Sequence, residues 1–371
     1  MKVVPALKWF HNWVGFAISL TMLIVLSTGV YLGAMDILKR IDDKGQQYAP
    51  LTIEQKADIT QTLFEKHPEM GTVRFPTEHS PFIEVAKRGE SIAYDTDLNQ
   101  LSTYKMSEVP MYGTIFWLHR NFLLGDVGKY VNAWASLVGG LITLVGIYLW
   151  WRVRKGFRLK QSIPTNTRSS SLLKSHIQLG LFISIPLFVL CITGFLITYK
   201  GLWTGALKQP TNLEQVQYPV SQAQDWHSQL KTAQLIWPDS QLVGVSKARQ
   251  RQAQGEATAP QKKQDLQYSV RFDEHSDVWL RNADSIGFNY HTGQITSVVK
   301  HSERPLSGQV ASFVRPLHDA LNMPLKYVIF ITLIAVVGTA ILVFSTVTFY
   351  RRIFSKPKKS NVSPKAAAQA S

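Results

Sequence analysis

Two stretches of the chain carry nearly the same pattern: residues 11–29 read HNWVGFAISLTMLIVLSTG and residues 176–194 read HIQLGLFISIPLFVLCITG. The offset between them is constant, so that His11 matches His176 and Gly15 matches Gly180. Matched small residues alone are typical of membrane helices that pack closely. Because the histidines match as well, we infer that the chain contains a duplication.

The repeat continues beyond these stretches into the rest of each half. The further matched positions are Leu118-His119 with Leu317-His318, Lys129-Tyr130-Val131 with Lys326-Tyr327-Val328, and Trp151-Arg152 with Tyr350-Arg351. A histidine therefore recurs at both ends of the repeated unit, which strengthens the inference of a duplication.

Four apolar runs without a charged residue are long enough to cross a bilayer: 13–35, 131–151, 177–199 and 327–350. About 20 apolar residues in a helix cover the ~30 Å hydrocarbon core. We therefore predict four transmembrane helices. The first is expected to be an uncleaved anchor, because it is longer than the apolar region of a signal peptide and no small-x-small cleavage site follows it.

The distribution of charge predicts the orientation of these helices. The chain carries a formal charge of +15, and its basic residues are concentrated without acids in 152–174 and 351–371. The positive-inside rule places these segments and both termini in the cytoplasm. Since topology accounts for the basic charge, we do not predict nucleic-acid binding.

The predicted order of segments follows from the spans and the charge. It is 1–35 (N-terminus and first span), 36–130 (outer domain with an interfacial helix), 131–151 (second span), 152–174 (basic loop), 175–200 (third span), 201–325 (second outer domain with an interfacial helix), 326–350 (fourth span) and 351–371 (basic tail).

Each outer segment is expected to form a small α+β domain of its own. The first pattern indicates a helix at 52–67 and strands at 72–76, 81–88 and 91–97. The second indicates a helix at 221–236 and strands at 241–247, 267–273, 285–290 and 294–300. The Gln-, Lys- and Gly-rich piece 249–265 is interpreted as a flexible insertion.

This duplicated arrangement resembles the PepSY-associated transmembrane family, and within it the ferric-siderophore reductases and iron-regulated membrane proteins of the bacterial inner membrane. The resemblance rests on a first helix opening with His-x-x-x-Gly, a helix-plus-strand domain, a Leu-His step and a second helix ending in aromatic-Arg. It implies PepSY-like periplasmic domains, two b-type haems and reduction of a ferric siderophore. The only cysteine is Cys191, which excludes c-type haem attachment and Cys-ligated iron–sulfur clusters.

Four histidines are candidate axial ligands of haem iron. His11 and His119 belong to one repeat but lie at opposite faces of the bilayer, so they cannot share an iron. A pseudo-twofold axis along the membrane normal instead pairs His11 with His176 and His119 with His318. We expect each pair to come from helices packed side by side. The alternative is that His11 and His176 are ordinary interfacial residues at helix ends.

The residues around these histidines have two possible roles. Gly15 and Gly180, one turn from the ligands, would let a flat macrocycle approach the helix, or they permit close helix packing without a cofactor. Arg120 and Arg315 are candidates for binding haem propionates, although anionic lipid headgroups are an equally ordinary partner. The remaining six histidines lie in polar outer segments and are interpreted as surface residues.

The chain has neither a G-x-G-x-x-G pattern nor a Walker A motif. The electron donor is therefore expected to be a separate reduced flavin, redox protein or quinol. The first functional hypothesis is a dihaem b-type oxidoreductase of the bacterial inner membrane that reduces a ferric siderophore in the periplasm. The alternative is a haem-free membrane scaffold whose outer domains bind or inhibit an envelope protease.

Overall fold

The computed structural model describes residues 3–78, 80–87, 89–156, 158–206, 218–247, 266–273, 283–320 and 323–354. The predicted insertion at 249–265 lies outside these ranges. The four predicted spans are confirmed as helices long and apolar enough to cross a membrane. They are α1 (Val3–Ile41), α4 (Gly125–Val153), α5 (Ser169–Thr198) and α9 (Leu325–Phe354).

The four long helices pack as a ring. The neighbouring pairs are α1 with α9, α9 with α5, α5 with α4, and α4 with α1. A half-turn about the ring axis exchanges α1 with α5 and α4 with α9, as the sequence repeat requires. The helices that carry the first half of each repeat, α1 and α5, are therefore diagonal and face each other across the centre of the bundle.

The first helix extends well beyond its predicted end. At 1.5 Å per residue, the 39 residues of α1 cover about 58 Å, nearly twice the ~30 Å hydrocarbon core. The chain remains helical to Ile41 rather than ending near residue 35. Its last turns therefore project from the bundle towards the β-sheet, and we call this end of the bundle the sheet end. The opposite end, which carries the basic 152–174 segment, is the loop end.

Within the described residues, five shorter α-helices connect the spans and the sheet. They are α2 (Ile53–Lys66), α3 (Tyr112–Asn121), α6 (Lys200–Ala206), α7 (Trp226–Ile236) and α8 (Leu306–Asp319). α2 begins with a capping box in which Thr52 and Gln55 exchange side-chain and backbone hydrogen bonds. α3 packs on α1 and α4, and α8 packs on α5. These two helices carry the histidines at the sheet end.

The two outer segments form one sheet, which corrects the prediction of two separate α+β domains. Its order is β4-β3-β2-β1-β5-β6-β7-β8, with strands β1 (Thr72–Arg74), β2 (Ile83–Lys87), β3 (Glu90–Tyr94), β4 (Gln100–Lys105), β5 (Gln241–Lys247), β6 (Gln267–Asp273), β7 (Ala283–Asn289) and β8 (Ile295–Val299). The halves join where Thr72 lies opposite Ser246 and Arg74 opposite Gly244. Pairing β1 with β5 satisfies the backbone groups of two strands that would otherwise be exposed edges.

One apolar core underlies this sheet. It combines Leu63 of α2 and Leu230 of α7 with inward-facing residues of both half-sheets, including Val85 and Phe272. α2 and α7 pack against each other on this face. Because residues of both segments are fully buried in the same cluster, the segments are expected to fold together as a single domain.

The corner between α3 and α4 depends on a glycine. A Cβ at Gly128 would lie 1.8 Å from the carbonyl oxygen of Asn121, so no larger residue fits there. The side chain of Asn132 on α4 also donates a hydrogen bond of 2.7 Å to the carbonyl of His119. Together these contacts fix the position of α3, and hence of His119, on the bundle.

Candidate functional site: two histidine pairs in the bundle cavity

A large cavity of about 2020 Å³ runs through the centre of the helix ring. At the loop end its lining includes Lys8 and Arg352, and at the sheet end it includes Lys39 and Tyr104. The histidines at both ends of the repeat line this cavity. The cavity thus connects the two ends of the membrane-spanning bundle.

The loop-end pair consists of His11 on α1 and His176 on α5. Their ring centroids are 6.1 Å apart, and the ring planes meet at 70°. Nδ1 of His11 lies 3.2 Å from the carbonyl oxygen of Ile142. Nδ1 of His176 is buried and makes no hydrogen bond among the described residues.

The sheet-end pair consists of His119 on α3 and His318 on α8, with ring centroids 6.2 Å apart. Nδ1 of His119 lies 3.0 Å from the carbonyl of Val25 and 3.1 Å from the hydroxyl of Thr28. His318 repeats this arrangement, with Nδ1 3.1 Å from the Leu190 carbonyl and 3.2 Å from the Thr193 hydroxyl.

These contacts determine which ring nitrogen carries the proton. A backbone carbonyl can only accept a hydrogen bond, so Nδ1 must be the protonated nitrogen in neutral His119 and His318. Nε2 then has a free lone pair. None of the four Nε2 atoms makes a hydrogen bond within the described part of the chain. Each is available to bind a metal ion.

The spacing of each pair fits a haem iron between its rings. A metal–imidazole bond is about 2.0 Å long, and the bonding nitrogen is about 1.2 Å from its ring centre, so opposed ligands have centroids about 6.4 Å apart. The observed separations of 6.1 Å and 6.2 Å agree with this distance. The rings do not come from adjacent helices, which corrects our expectation of side-by-side packing. Diagonal placement leaves the central space that a macrocycle requires.

Glycines surround the histidines in two different ways. Gly15 and Gly180 line the cavity as predicted; a Cβ at Gly180 would meet nothing within 4 Å, and one at Gly15 would only reach Ile142 at 4.0 Å. Sequence reasoning missed a second set, which lies directly against the imidazoles. A Cβ would lie 3.5 Å from Cε1 of His119 at Gly29, 3.1 Å from that of His318 at Gly194, and 3.2 Å from that of His11 at Gly146.

The repeat contained a signal for part of this second set. Thr28-Gly29 and Thr193-Gly194 are matched positions. In the structure, Thr28 and Gly29 lie against the ring of His119, and Thr193 and Gly194 lie against the ring of His318.

A family model described as the PepSY-associated TM region matches residues 8–352. The chain belongs to this family. No curated protein matches the chain.

The two predicted arginines of this PepSY-associated TM region protein lie at the sheet end. Both line the cavity. Arg315 also makes two hydrogen bonds, of 2.7 Å and 2.9 Å, to the carboxylate of Asp319. Arg120 lies over the ring of Trp117, 5.5 Å from its centroid. Lys129 lines the same region, and sequence reasoning did not identify it.

The remaining described histidines of this family member lie away from the cavity. Nε2 of His67 is 2.6 Å from the Tyr94 hydroxyl, and Nε2 of His227 is 2.9 Å from a carboxylate oxygen of Asp58. His291 is exposed as predicted, whereas His301 is buried, which corrects its interpretation as a surface residue. His79 and His275 are outside the described residues. Within the described ranges, no group of three or more His, Cys, Asp or Glu residues is arranged to hold a metal ion.

Proposed function

We propose that this protein is a dihaem b-type oxidoreductase that passes electrons across the bacterial inner membrane to a ferric siderophore in the periplasm. The observation that carries the proposal is the pair of matched histidine sites, with ring centroids 6.1 Å and 6.2 Å apart, in one cavity. Two neutral imidazoles at this separation are the ligand set of a six-coordinate b-type haem.

The four histidines would hold the two groups by Nε2, and a bound haem supplies one-electron redox chemistry at its iron. Gly15 and Gly180 leave the space for the ring system. Arg120, Arg315 and Lys129 place positive charge where propionates of the group at the sheet end would lie.

The positions of the two sites support electron transfer across the membrane. Thr28, which contacts His119, is about 25 Å along α1 from His11 at 1.5 Å per residue. That separation is comparable to the ~30 Å hydrocarbon core. This supports one site near each face, with the shared cavity between them.

The basic 152–174 and 351–371 segments support a cytoplasmic loop end, and hence periplasmic placement of the sheet domain. We assign this domain as the duplicated PepSY-like unit. Reduction of iron(III) to iron(II) weakens a chelate, because hard oxygen donors prefer the ferric ion. The electron donor would be a separate reduced flavin, redox protein or quinol that meets the loop end.

The test is vectorial reduction in proteoliposomes. Reductant on the side of the 152–174 loop should reduce a ferric siderophore on the other side, with trapped ferrozine reporting iron(II). His11→Ala should remove one haem and abolish transmembrane reduction, whereas His318→Ala should remove the other. His291→Ala, which changes an exposed histidine away from the cavity, is the matched control.

Three outcomes would contradict the proposal in whole or in part. A purified protein without a Soret band and without haem on pyridine extraction would favour the scaffold that binds or inhibits an envelope protease. Full haem content in the His11→Ala and His318→Ala variants would show that these residues are not ligands. Vectorial reduction of a quinone, but never of a ferric chelate, would support electron transfer across the membrane and refute a ferric siderophore as the substrate.

A further inference from the structure

The loop-end histidine pair determines how a macrocycle would lie in the cavity. His11 is on α1 and His176 is on α5, and these two helices are diagonal in the ring. The axial bonds to two imidazoles are perpendicular to the plane of the macrocycle. A haem held by this pair would therefore present one edge to α4 and the opposite edge to α9. Since α4 and α9 are equivalent in the repeat, the two sides of the cavity can be compared position by position.

The sides formed by α4 and α9 differ in polarity near the loop end. The alignment that matches Trp151-Arg152 with Tyr350-Arg351 also gives three pairs of residues that line the cavity. These pairs are Ile147 with Thr346, Leu149 with Thr348, and Val153 with Arg352. At each pair, the α4 residue is apolar and the α9 residue carries a hydroxyl or a guanidinium group.

Helix α1 extends the polar side of the cavity. Lys8 lies three residues before His11, so it is on the same helix face, one turn nearer the loop end. The repeat matches Lys8 with Leu173 of α5, and both residues line the cavity. α1 and α9 are neighbours in the ring. The cations of the loop-end cavity therefore lie on the side formed by α1 and α9.

The charge at the loop end of the cavity is entirely positive within the described residues. Three basic residues line it there, Lys8, Arg351 and Arg352. The acidic residues that line the described cavity, Asp36 and Asp319, are both at the sheet end. Positive charge that no acidic side chain balances, on one side of a cavity, favours binding of an anion.

The orientation of the protein in the membrane does not explain this one-sided placement. The positive-inside rule requires basic residues at the loop end, but not along one side of the cavity. Arg152 and the other basic residues of 152–174 do not line the cavity, although Arg152 is the repeat equivalent of Arg351. The cavity-lining cations therefore form a set separate from the basic loop.

We propose that Lys8, Arg351 and Arg352 bind the propionate carboxylates of the loop-end haem, whose propionate edge faces α9 and whose apolar edge faces α4. This inference rests on the proposed function and assigns a binding site for one of its cofactors. A b-type haem carries both propionates on one edge, and the rest of its periphery is apolar. Guanidinium groups bind carboxylates in a bidentate manner, whereas Leu149 and Val153 offer apolar contacts to the opposite edge.

The test measures the reduction potential of the loop-end haem in the purified full-length protein, identified as the haem that His11→Ala lacks. Loss of a nearby positive charge favours the oxidised form, so Arg352→Gln should lower this potential and leave that of the sheet-end haem unchanged. We expect a change of about tenfold in the equilibrium constant for reduction, which is roughly 59 mV for one electron. Arg352→Lys keeps the charge and should retain the wild-type potential. Resonance Raman bands of the propionates should shift in Arg352→Gln.

Arg152→Gln is the matched control. It removes the same charge at the same end of the bundle, from a residue that does not line the cavity, and it should change neither the potential nor the propionate bands. Arg352 is the better position to replace, because Arg351 also donates a hydrogen bond to the carbonyl of Thr167 in the basic loop. If Arg352→Gln loses the loop-end haem, its retention in Arg352→Lys supports the site, and its loss from both variants overturns it.

Two further results would overturn the assignment. One is an unchanged potential with unchanged propionate bands in Arg352→Gln, or equal shifts in Arg352→Gln and Arg152→Gln. The other is an effect confined to the concentration of external reductant required, which would show that these cations bind the electron donor instead. Both leave the proposed function standing if the wild-type protein contains two haems and reduces a ferric chelate. A wild-type protein without haem would refute the proposed function and this site together.

Discussion

Replacement of Gly180 by leucine tests directly whether the space beside His176 belongs to a macrocycle. A Cβ at this position would meet nothing within 4 Å, so the chain itself offers no steric objection to a side chain. Removal of a helix-interior glycine typically stabilises a helix by about 1 kcal/mol. Without a cofactor, Gly180→Leu should therefore leave stability unchanged or raise it. With a haem in that space, the leucine side chain would overlap with the macrocycle.

We expect Gly180→Leu to lower the haem content from two to about one per chain, while Gly180→Ala has a smaller effect. Pyridine haemochrome analysis of the purified protein measures the content, and thermal unfolding measures stability. Gly201→Leu is the control, because Gly201 also has no neighbour within 4 Å of a built Cβ and does not line the cavity. Two haems and an unchanged low-spin spectrum in Gly180→Leu would refute the placement of a haem beside α5.

Three further predictions concern different parts of the molecule. Thr28→Val and Thr193→Val should retain both haems but raise the reduction potential of the sheet-end haem alone, because the imidazole Nδ1–H loses a hydrogen-bond acceptor. Equal shifts of both haem potentials in a potentiometric titration would contradict this. Burial lowers the pKa of Lys56 from 10.5 to about 8, so the unfolded state binds more protons between these values and stability should rise with pH across that window. Lys56→Met should abolish this rise in stability, measured as the midpoint of urea unfolding at each pH. Alkaline phosphatase fused after Lys160 should be inactive in cells. An active fusion would show that the 152–174 loop lies outside the cytoplasm, opposite to the predicted topology.

The candidate ligands were predictable from the sequence because a duplication marks them twice. His11 and His176 stand at the same place in the repeat, as do His119 and His318, and a twofold axis is then enough to pair them. The prediction that paired helices pack side by side was wrong. Sequence hydropathy identifies which segments cross the membrane, but the order of four helices around a ring depends on contacts between residues far apart in the chain.

The strands likewise divide into those that the sequence predicted and one that it did not. Seven of the eight strands in the described part of the chain were predicted near their observed positions. β4 was missed, although Gln100-Leu101 matches Gln294-Ile295 at the beginning of β8. β4 is an edge strand with a mixed burial pattern, so it lacks the alternation that predicts a half-buried strand. The internal repeat was a stronger signal there than local periodicity.

The four spans, the duplication and the matched histidines were determined by the sequence alone, because length, hydropathy and repeat spacing are properties of continuous segments. Only the tertiary structure joined two half-sheets through β1 and β5, since any exposed strand edge offers the same backbone groups to a partner. It alone placed Thr28 and Thr193 on the imidazoles and Gly146 behind His11. It also brought Arg271 of the second half into one cross-strand row with Arg74 and Glu84 of the first, because cross-strand register sets which residues from the two halves become neighbours.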